Sequence, residues 1–175
     1  LDYDNTKPQI IEALKKYDSH QYLINRLSKN GQRYLFYTVQ EALKKDLPVE
    51  LSLIPFVESQ FDPYAQSSTG ASGIWQFIPS TALENGLKKN WWYDARRDIV
   101  ASTNAAYNFL IKLNEEHDDW LIAIAAYNAG PSRVRKEIRK NKEKGLPTDF
   151  WSLNLPKETK AYVPKILALA EVIRN

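Results

Sequence analysis

The chain has no cysteine, which excludes disulfides and thiolate metal sites and leaves its compartment open. It has only two histidines, His20 and His117, and no HExxH-like spacing, so neither a zinc centre nor a Ser-His-Asp triad is expected. No apolar run approaches the roughly 20 residues of a membrane span, and the first residues do not read as a signal peptide. Leu1 in place of an initiator methionine is expected in a processed or excised segment. Segments of period-2 alternation are nearly absent, and there is no internal repeat or low-complexity tract. Strand-built and repeat architectures therefore fall away.

What remains fits one domain with its own core: 175 residues, 43% hydrophobic, with a net charge of +3. Aromatics make up 12%, including five tryptophans and ten tyrosines, enough to suggest a binding groove as well as a core. The mild positive charge suits an anionic polymer without requiring one. The run Arg133–Lys144 holds seven basic and two acidic residues. Its simplest reading is a solvated helix face, and no nucleic-acid reader stands beside it.

The dominant period is helical. Ile10, Ile11, Leu14 and Tyr17 share a face after Thr6 and Pro8, and Leu35, Val39, Ala42 and Leu43 mark a second helix after Gly31. Leu47, Leu51, Ile54 and Glu58 follow at i, i+4, i+7 and i+11, one continuous stripe. From Gln60 to Pro79 the pattern fails, as Pro63, Gly70, Gly73 and Pro79 punctuate a long loop of the kind that is usually functional. Ser80 or Thr81 is placed to cap a short helix ending near Gly86. Asp98 and Asp119 open two further helices, the second stopped by Gly130. Pro131 starts another, spanning Val134 to about Lys140. The last follows Pro156, with Thr159, Tyr162 or Val163, Ile166, Ala170 and Ile173 facing inward. The fold class is all-α, with residues 1–45 as an N-terminal helical segment packed on a core of residues 46–175.

Four stretches carry polar chemistry. Glu58 lies on an apolar stripe, where lost hydration favours the neutral acid and raises its pKa toward neutrality, as a general acid requires. A buried ion pair or a cap would explain the same position. In "GASGIWQF", Gly70 and Gly73 allow close backbone approach, Trp75 and Phe77 offer apolar faces, and Gln76 offers an amide. A glycine-rich core turn reads the same way. In "AAYNAG", Tyr127 and Asn128 end an apolar helix, at a rim or in a plain C-cap. In "ETKAYVPK", Glu158, Thr159 and Tyr162 follow, the tyrosine either beside Glu58 or simply packed.

Taken together, these blocks resemble the lysozyme-like lytic transglycosylases of bacterial cell walls. Glu58-Ser59 matches the family's Glu-Ser motif. Gly70, Gly73, Trp75, Gln76 and Phe77 match its Gly-x-x-Gly-x-[Met/Trp]-Gln block, and Ala126, Tyr127, Asn128 and Gly130 its Ala-Tyr-Asn-x-Gly block. The similarity covers nearly the whole chain and is densest from Leu47 to Asn175. It implies a goose-type helical domain with a substrate groove, acting as a monomer on peptidoglycan strands at the periplasmic side of the envelope. Outer-membrane anchoring in a longer protein is compatible with it; the lipoprotein signal and LysM modules of this branch are not among these residues. No metal, cofactor or nucleic acid is implied.

The implied reaction cleaves the β-1,4 bond between N-acetylmuramic acid and N-acetylglucosamine and closes a 1,6-anhydro ring. Glu58 is the acid and then the base. Ser59 and Tyr162 support it, and Gln76, Tyr127, Asn128, Gly73, Trp75 and Phe77 hold the sugar. Two alternatives stay open: a lysozyme-type hydrolase, and a module that binds or scaffolds peptidoglycan without cutting it.

Overall fold

A computed structural model of the chain describes residues 1–17, 25–27 and 29–174; His20 lies outside them. Eight α-helices of six residues or more are formed there: α1 Pro8–Leu14, α2 Lys29–Lys44, α3 Ile54–Ser59, α4 Pro79–Glu84, α5 Ile99–His117, α6 Trp120–Ala129, α7 Pro131–Glu143 and α8 Lys157–Arg174. Two 3₁₀ turns, Val49–Leu53 and Phe150–Ser152, complete the set. Among the described residues there is no strand, only isolated antiparallel bridges, two of them in the loop between α3 and α4.

The centre is α6. Its sequence is apolar all round, so no face of it suits water, and Leu121 to Ala126 are all buried. Asp119 starts it by accepting from the Leu121 and Ile122 amides at 2.7 and 3.2 Å, and Gly130 at φ 90° ends it. Around it pack α5, α7 and α8, while α1 lies on α8 and α2 packs on the first 3₁₀ turn and on α5. Ile10 and Ala13 of α1 and Ala42 of α2 belong to the same buried cluster as α6.

Several boundaries differ from the sequence reading. The stripe from Leu47 to Glu58 is not one helix: Val49–Leu53 winds as 3₁₀, and Pro55 sits in the first turn of the new helix α3. α1 stops at Leu14, before Tyr17, with Ile11 exposed. α2 begins at Lys29, ahead of Gly31, and its Leu43 faces water. α4 starts at Pro79 with no side-chain cap, so neither Ser80 nor Thr81 serves as one. α7 runs on to Glu143. On α8, Thr159, Tyr162, Val163, Ile166 and Ala170 are buried as the period requires, but Ile173 in the last turn is exposed.

Candidate active site

α3 is short and buried along Ile54, Pro55 and Phe56, which brings Glu58, half-buried, to the edge of the core just before the chain reverses. The reversal uses two successive left-handed residues, Gln60 (φ 53°) and Phe61 (φ 61°). The Gln60 amide donates to the Phe56 carbonyl and the Phe61 amide to that of Pro55, at 3.0 and 3.3 Å, closing the helix end. Phe61 is buried, so the turn is anchored by a large apolar side chain.

Among the described residues the Glu58 carboxylate accepts one hydrogen bond, from the Tyr162 hydroxyl of α8 to Oε1 at 2.5 Å. Among the described residues it makes no ion pair. Burial lifts its pKa from an ordinary 4.5 to about 7; the Tyr162 hydrogen bond pulls it down and the charge of Glu158 pushes it up. The phenols of Tyr162 and Tyr127 are both held well above their usual value, first by burial and then by the Glu58 charge, and stay protonated. Glu58 is therefore a carboxyl that exists in both forms near neutral pH.

The loop between α3 and α4 forms one wall of the site and is braced from three sides. Gln76, itself left-handed at φ 53°, spends both amide hydrogens inside the loop, donating to the carbonyls of Gly73 (2.8 Å) and Ala65 (3.1 Å). Among the described residues that leaves its side-chain oxygen as the group free to meet a ligand. The Ser59 hydroxyl stands 2.9 Å from the Ile74 carbonyl and 3.1 Å from that of Pro55, tying the end of α3 to the loop. Arg96, buried and paired with Asp94 at 2.7 Å, donates to the carbonyls of Gly70 (2.7 Å) and Phe77 (3.1 Å). Gly73 (φ 81°) lies so close to the Arg96 backbone that a Cβ there would stand 1.8 Å from its carbonyl oxygen.

The end of α6 forms the other wall. The Tyr127 hydroxyl donates to the Trp75 carbonyl at 2.7 Å, while its ring packs edge-on to Phe77 and Trp75 and tilted against Phe109. Asn128 is oriented by α8: its oxygen accepts from the Thr159 hydroxyl at 2.8 Å, and its amide nitrogen lies 3.5 Å from Glu158 Oε1. Between the walls is an open cleft of about 360 Å³, lined by Glu58, Gln76, Phe77, Phe109, Tyr127, Asn128 and Glu158 among others. It can present a neutral acid, amide and carbonyl groups and apolar ring surface to one bound molecule.

Of the residues expected to act on or hold the sugar, Glu58, Gln76, Phe77, Tyr127 and Asn128 line this cleft, as do Gly130 and Glu158 of the other quoted stretches. Tyr162 reaches it through Glu58. Trp75, expected to offer a flat face to the ligand, is 0% exposed; its indole N–H donates to the Thr103 hydroxyl at 3.0 Å and its ring packs on Tyr107. It is a core residue that contributes its carbonyl. Gly73 and Ser59 act on the backbone of the loop, with no direct bond from Ser59 to Glu58. Asp62 accepts from the Tyr64 amide at 2.9 Å, shaping the turn. Sequence reading missed Phe109 and Arg96. Arg96 had a signal in "YDARRD", where an arginine stands two residues from an aspartate at the end of a loop.

The sequence model described as Transglycosylase SLT domain matches residues 37–149. Membrane-bound lytic murein transglycosylase D of Escherichia coli K12 is 48% identical over 168 residues, covering 95% of this chain and 37% of that protein. The chain thus spans little more than a third of that relative. Among solved structures, the 70 kDa soluble lytic transglycosylase of Escherichia coli superposes with a TM-score of 0.57 at 25% identity, over 73% of this chain and 22% of that one. An inactive glutamate-to-glutamine variant of the lytic transglycosylase Slt from Pseudomonas aeruginosa superposes at 0.58 and 29% identity, over 76% and 22%. The helical order, the cleft and these likenesses agree: the chain belongs to the transglycosylase SLT domain family.

Proposed function

We propose that the chain cleaves peptidoglycan glycan strands as a lytic transglycosylase, with Glu58 as its proton carrier. The observation that carries this reading is a half-buried carboxyl bonded to the Tyr162 hydroxyl and facing a cleft with Gln76 and Asn128, where burial lifts its pKa to about 7. Membership of the family and the names of its relatives support the same chemistry.

In its neutral form Glu58 donates a proton to the glycosidic oxygen as the bond from C1 of N-acetylmuramic acid to that oxygen breaks. The sugar's own acetamido oxygen bonds to C1, so no second protein carboxylate is needed. The C6 hydroxyl then attacks C1 and displaces the acetamido oxygen, and its proton passes to the Glu58 carboxylate. The 1,6-anhydro ring is closed, Glu58 is again neutral, and no water has been consumed. Tyr162 keeps the carboxyl pointed into the cleft through both transfers. The free oxygen of Gln76 and the amide of Asn128 are suited to hold the acetamido group in line, the kind of alignment that lowers a barrier by several kcal/mol.

Digestion of purified sacculi followed by mass spectrometry tests this. New ends lighter by one water than reducing ends support it; reducing ends alone make the protein a hydrolase, and no new ends make it a binder.

The reading extends to the setting. The substrate places the working protein at the periplasmic side of the bacterial envelope, acting as a monomer, with residues 1–45 as a segment packed on the catalytic core. Among the described residues no helix is long and apolar enough to cross a membrane.

A further inference from the structure

A second concavity, of about 510 Å³, shares no lining residue with the cleft. Its rim carries Trp91 and Trp92, which are 89% and 90% exposed, and Tyr64, which is 76% exposed. Such exposure of two adjacent indoles leaves apolar surface unburied, and the turn that bears them is not loose. Asn90 Oδ1 accepts from the amides of Trp92 and Tyr93, each at 2.8 Å, and the Asn90 amide donates to the Tyr93 carbonyl at 2.8 Å. The Tyr93 hydroxyl donates to Asp98 at 2.9 Å, fastening the turn to the start of α5. The rings are thus presented by a fixed backbone, which lowers the ordering cost of a ligand that stacks on them.

The charges of this concavity are unequal in availability. Asp94 is taken up by Arg96, and Asp98 by the first turn of α5 and by Tyr93. Among the described residues Arg97 makes no ion pair and is held by the Ser72 hydroxyl at 3.1 Å, while Lys89 reaches Asp94 only at 4.0 Å. Cationic groups in the same hollow as flat apolar faces suit a chain of sugar rings that carries carboxylates.

We propose that this hollow is a second glycan-binding site, which takes a stretch of strand outside the cleft; the proposal rests on the reading that the substrate is peptidoglycan. Indole faces stack on the C–H faces of the amino sugars, and Lys89 and Arg97 meet carboxylates of the lactyl groups or stem peptides. The polar and cationic side chains of Asn90, Lys89 and Arg97, which line the same hollow as the rings, favour this occupant over a lipid surface.

The test measures binding alone, in a Glu58→Gln background so that cutting does not intervene. Affinity for soluble uncut glycan strands, and cosedimentation with sacculi, are compared with and without Trp91→Ala and Trp92→Ala together. The expected result is about tenfold weaker binding at an unchanged melting temperature. Phenylalanine at both positions should restore most of it. Lys89→Glu, on a separate chain, reads the same face through charge and should weaken binding several-fold while flattening its salt dependence. Unchanged glycan affinity in all of these variants overturns the proposal. So does a loss confined to vesicles of phosphatidylethanolamine and phosphatidylglycerol, which would make the turn a membrane contact. If instead the parent protein yields no anhydro ends, the catalytic reading fails, while the change in strand affinity still decides for or against the second site.

Discussion

The cleft and the aromatic turn use the same residue types in opposite ways. At Glu58 a half-buried carboxyl has, among the described residues, one hydroxyl for company and rises to about 7. At Asp94 three side-chain hydrogen bonds from Arg96 hold the carboxylate below its usual range. At Asp98 the Ala101 amide and the Tyr93 hydroxyl outweigh burial to the same effect. The aromatics reverse too: Trp75 is sealed in the core behind the cleft, whereas Trp91 and Trp92 stand in water. The difference teaches that acidity here follows the supply of donors and cations, and that a carboxyl kept from them becomes the titrating group. The aspartates build structure because they are satisfied; Glu58 is available for chemistry because it is not.

The sharpest way to break the comparison is to remove the group that titrates. Glu58→Gln preserves size and hydrogen bonding and deletes only the proton, so release of anhydro ends should fall by about 10²–10⁴-fold while strand binding persists. Asp94→Asn, by contrast, should show its effect in the unfolding midpoint.

Next in size is the brace behind the loop. Gly73→Ala sets a left-handed backbone against a Cβ that would stand 1.8 Å from the Arg96 carbonyl oxygen. Strain and overpacking together should cost about 4 kcal/mol, read as a drop in the urea midpoint at constant slope. A midpoint within experimental scatter of the parent would refute the close packing.

Third, Glu58 should cost stability where it is charged. Its folded pKa, about 7, lies above the ordinary 4.5, so below pH 4.5 the group is neutral in both states and costs the fold nothing. As pH rises through this window the unfolded chain releases its proton first, and the loss levels off above pH 7. Glu58→Gln should therefore be more stable than the parent by about 3 kcal/mol at pH 8 and nearly equal to it at pH 4. Equal melting curves at both pH values would mean the carboxyl is not dry.

Much of the cleft was legible in the sequence because its parts sit at the ends of strongly patterned elements. Asp119 and Gly130 bracket α6 and so place Tyr127 and Asn128 at its rim. The period of α8 puts Thr159 and Tyr162 on the inner face, where they meet Asn128 and Glu58. Glu58 was read from a stripe that the chain does not wind as one helix, yet the 3₁₀ turn and α3 together still bury Leu51 and Ile54 ahead of it. The loop was legible only as a loop. Periodicity says nothing of which face of an irregular segment is covered, so Trp75 read as ligand-facing although Thr103 and Tyr107 of α5 enclose it. The same limit hid Arg96 and Phe109, whose roles come from contacts with the loop and α6 rather than from local pattern. Trp91 and Trp92 read as part of an aromatic-rich chain, and only exposure sets them apart.

The finest test of the comparison adjusts Glu58 without removing it. Among the described residues the Tyr162 hydroxyl is the one donor on the carboxylate, and it works against burial by favouring the charged form. Tyr162→Phe keeps the ring in its buried site and deletes that donor. A hydrogen bond to a charged group contributes about 1.5–3 kcal/mol, of which 1.36 kcal/mol corresponds to one pKa unit. The alkaline limb of the rate profile should therefore move up by about one pH unit, because the neutral acid survives to higher pH. The maximal rate should fall as well, since the carboxyl loses the contact that aims it. If Tyr162 served only to pack α8, the limb would stay near pH 7 and only stability would change. If the donor instead stabilised the neutral acid, the limb would move down, and the opposition between burial and hydrogen bonding at this carboxyl would be lost.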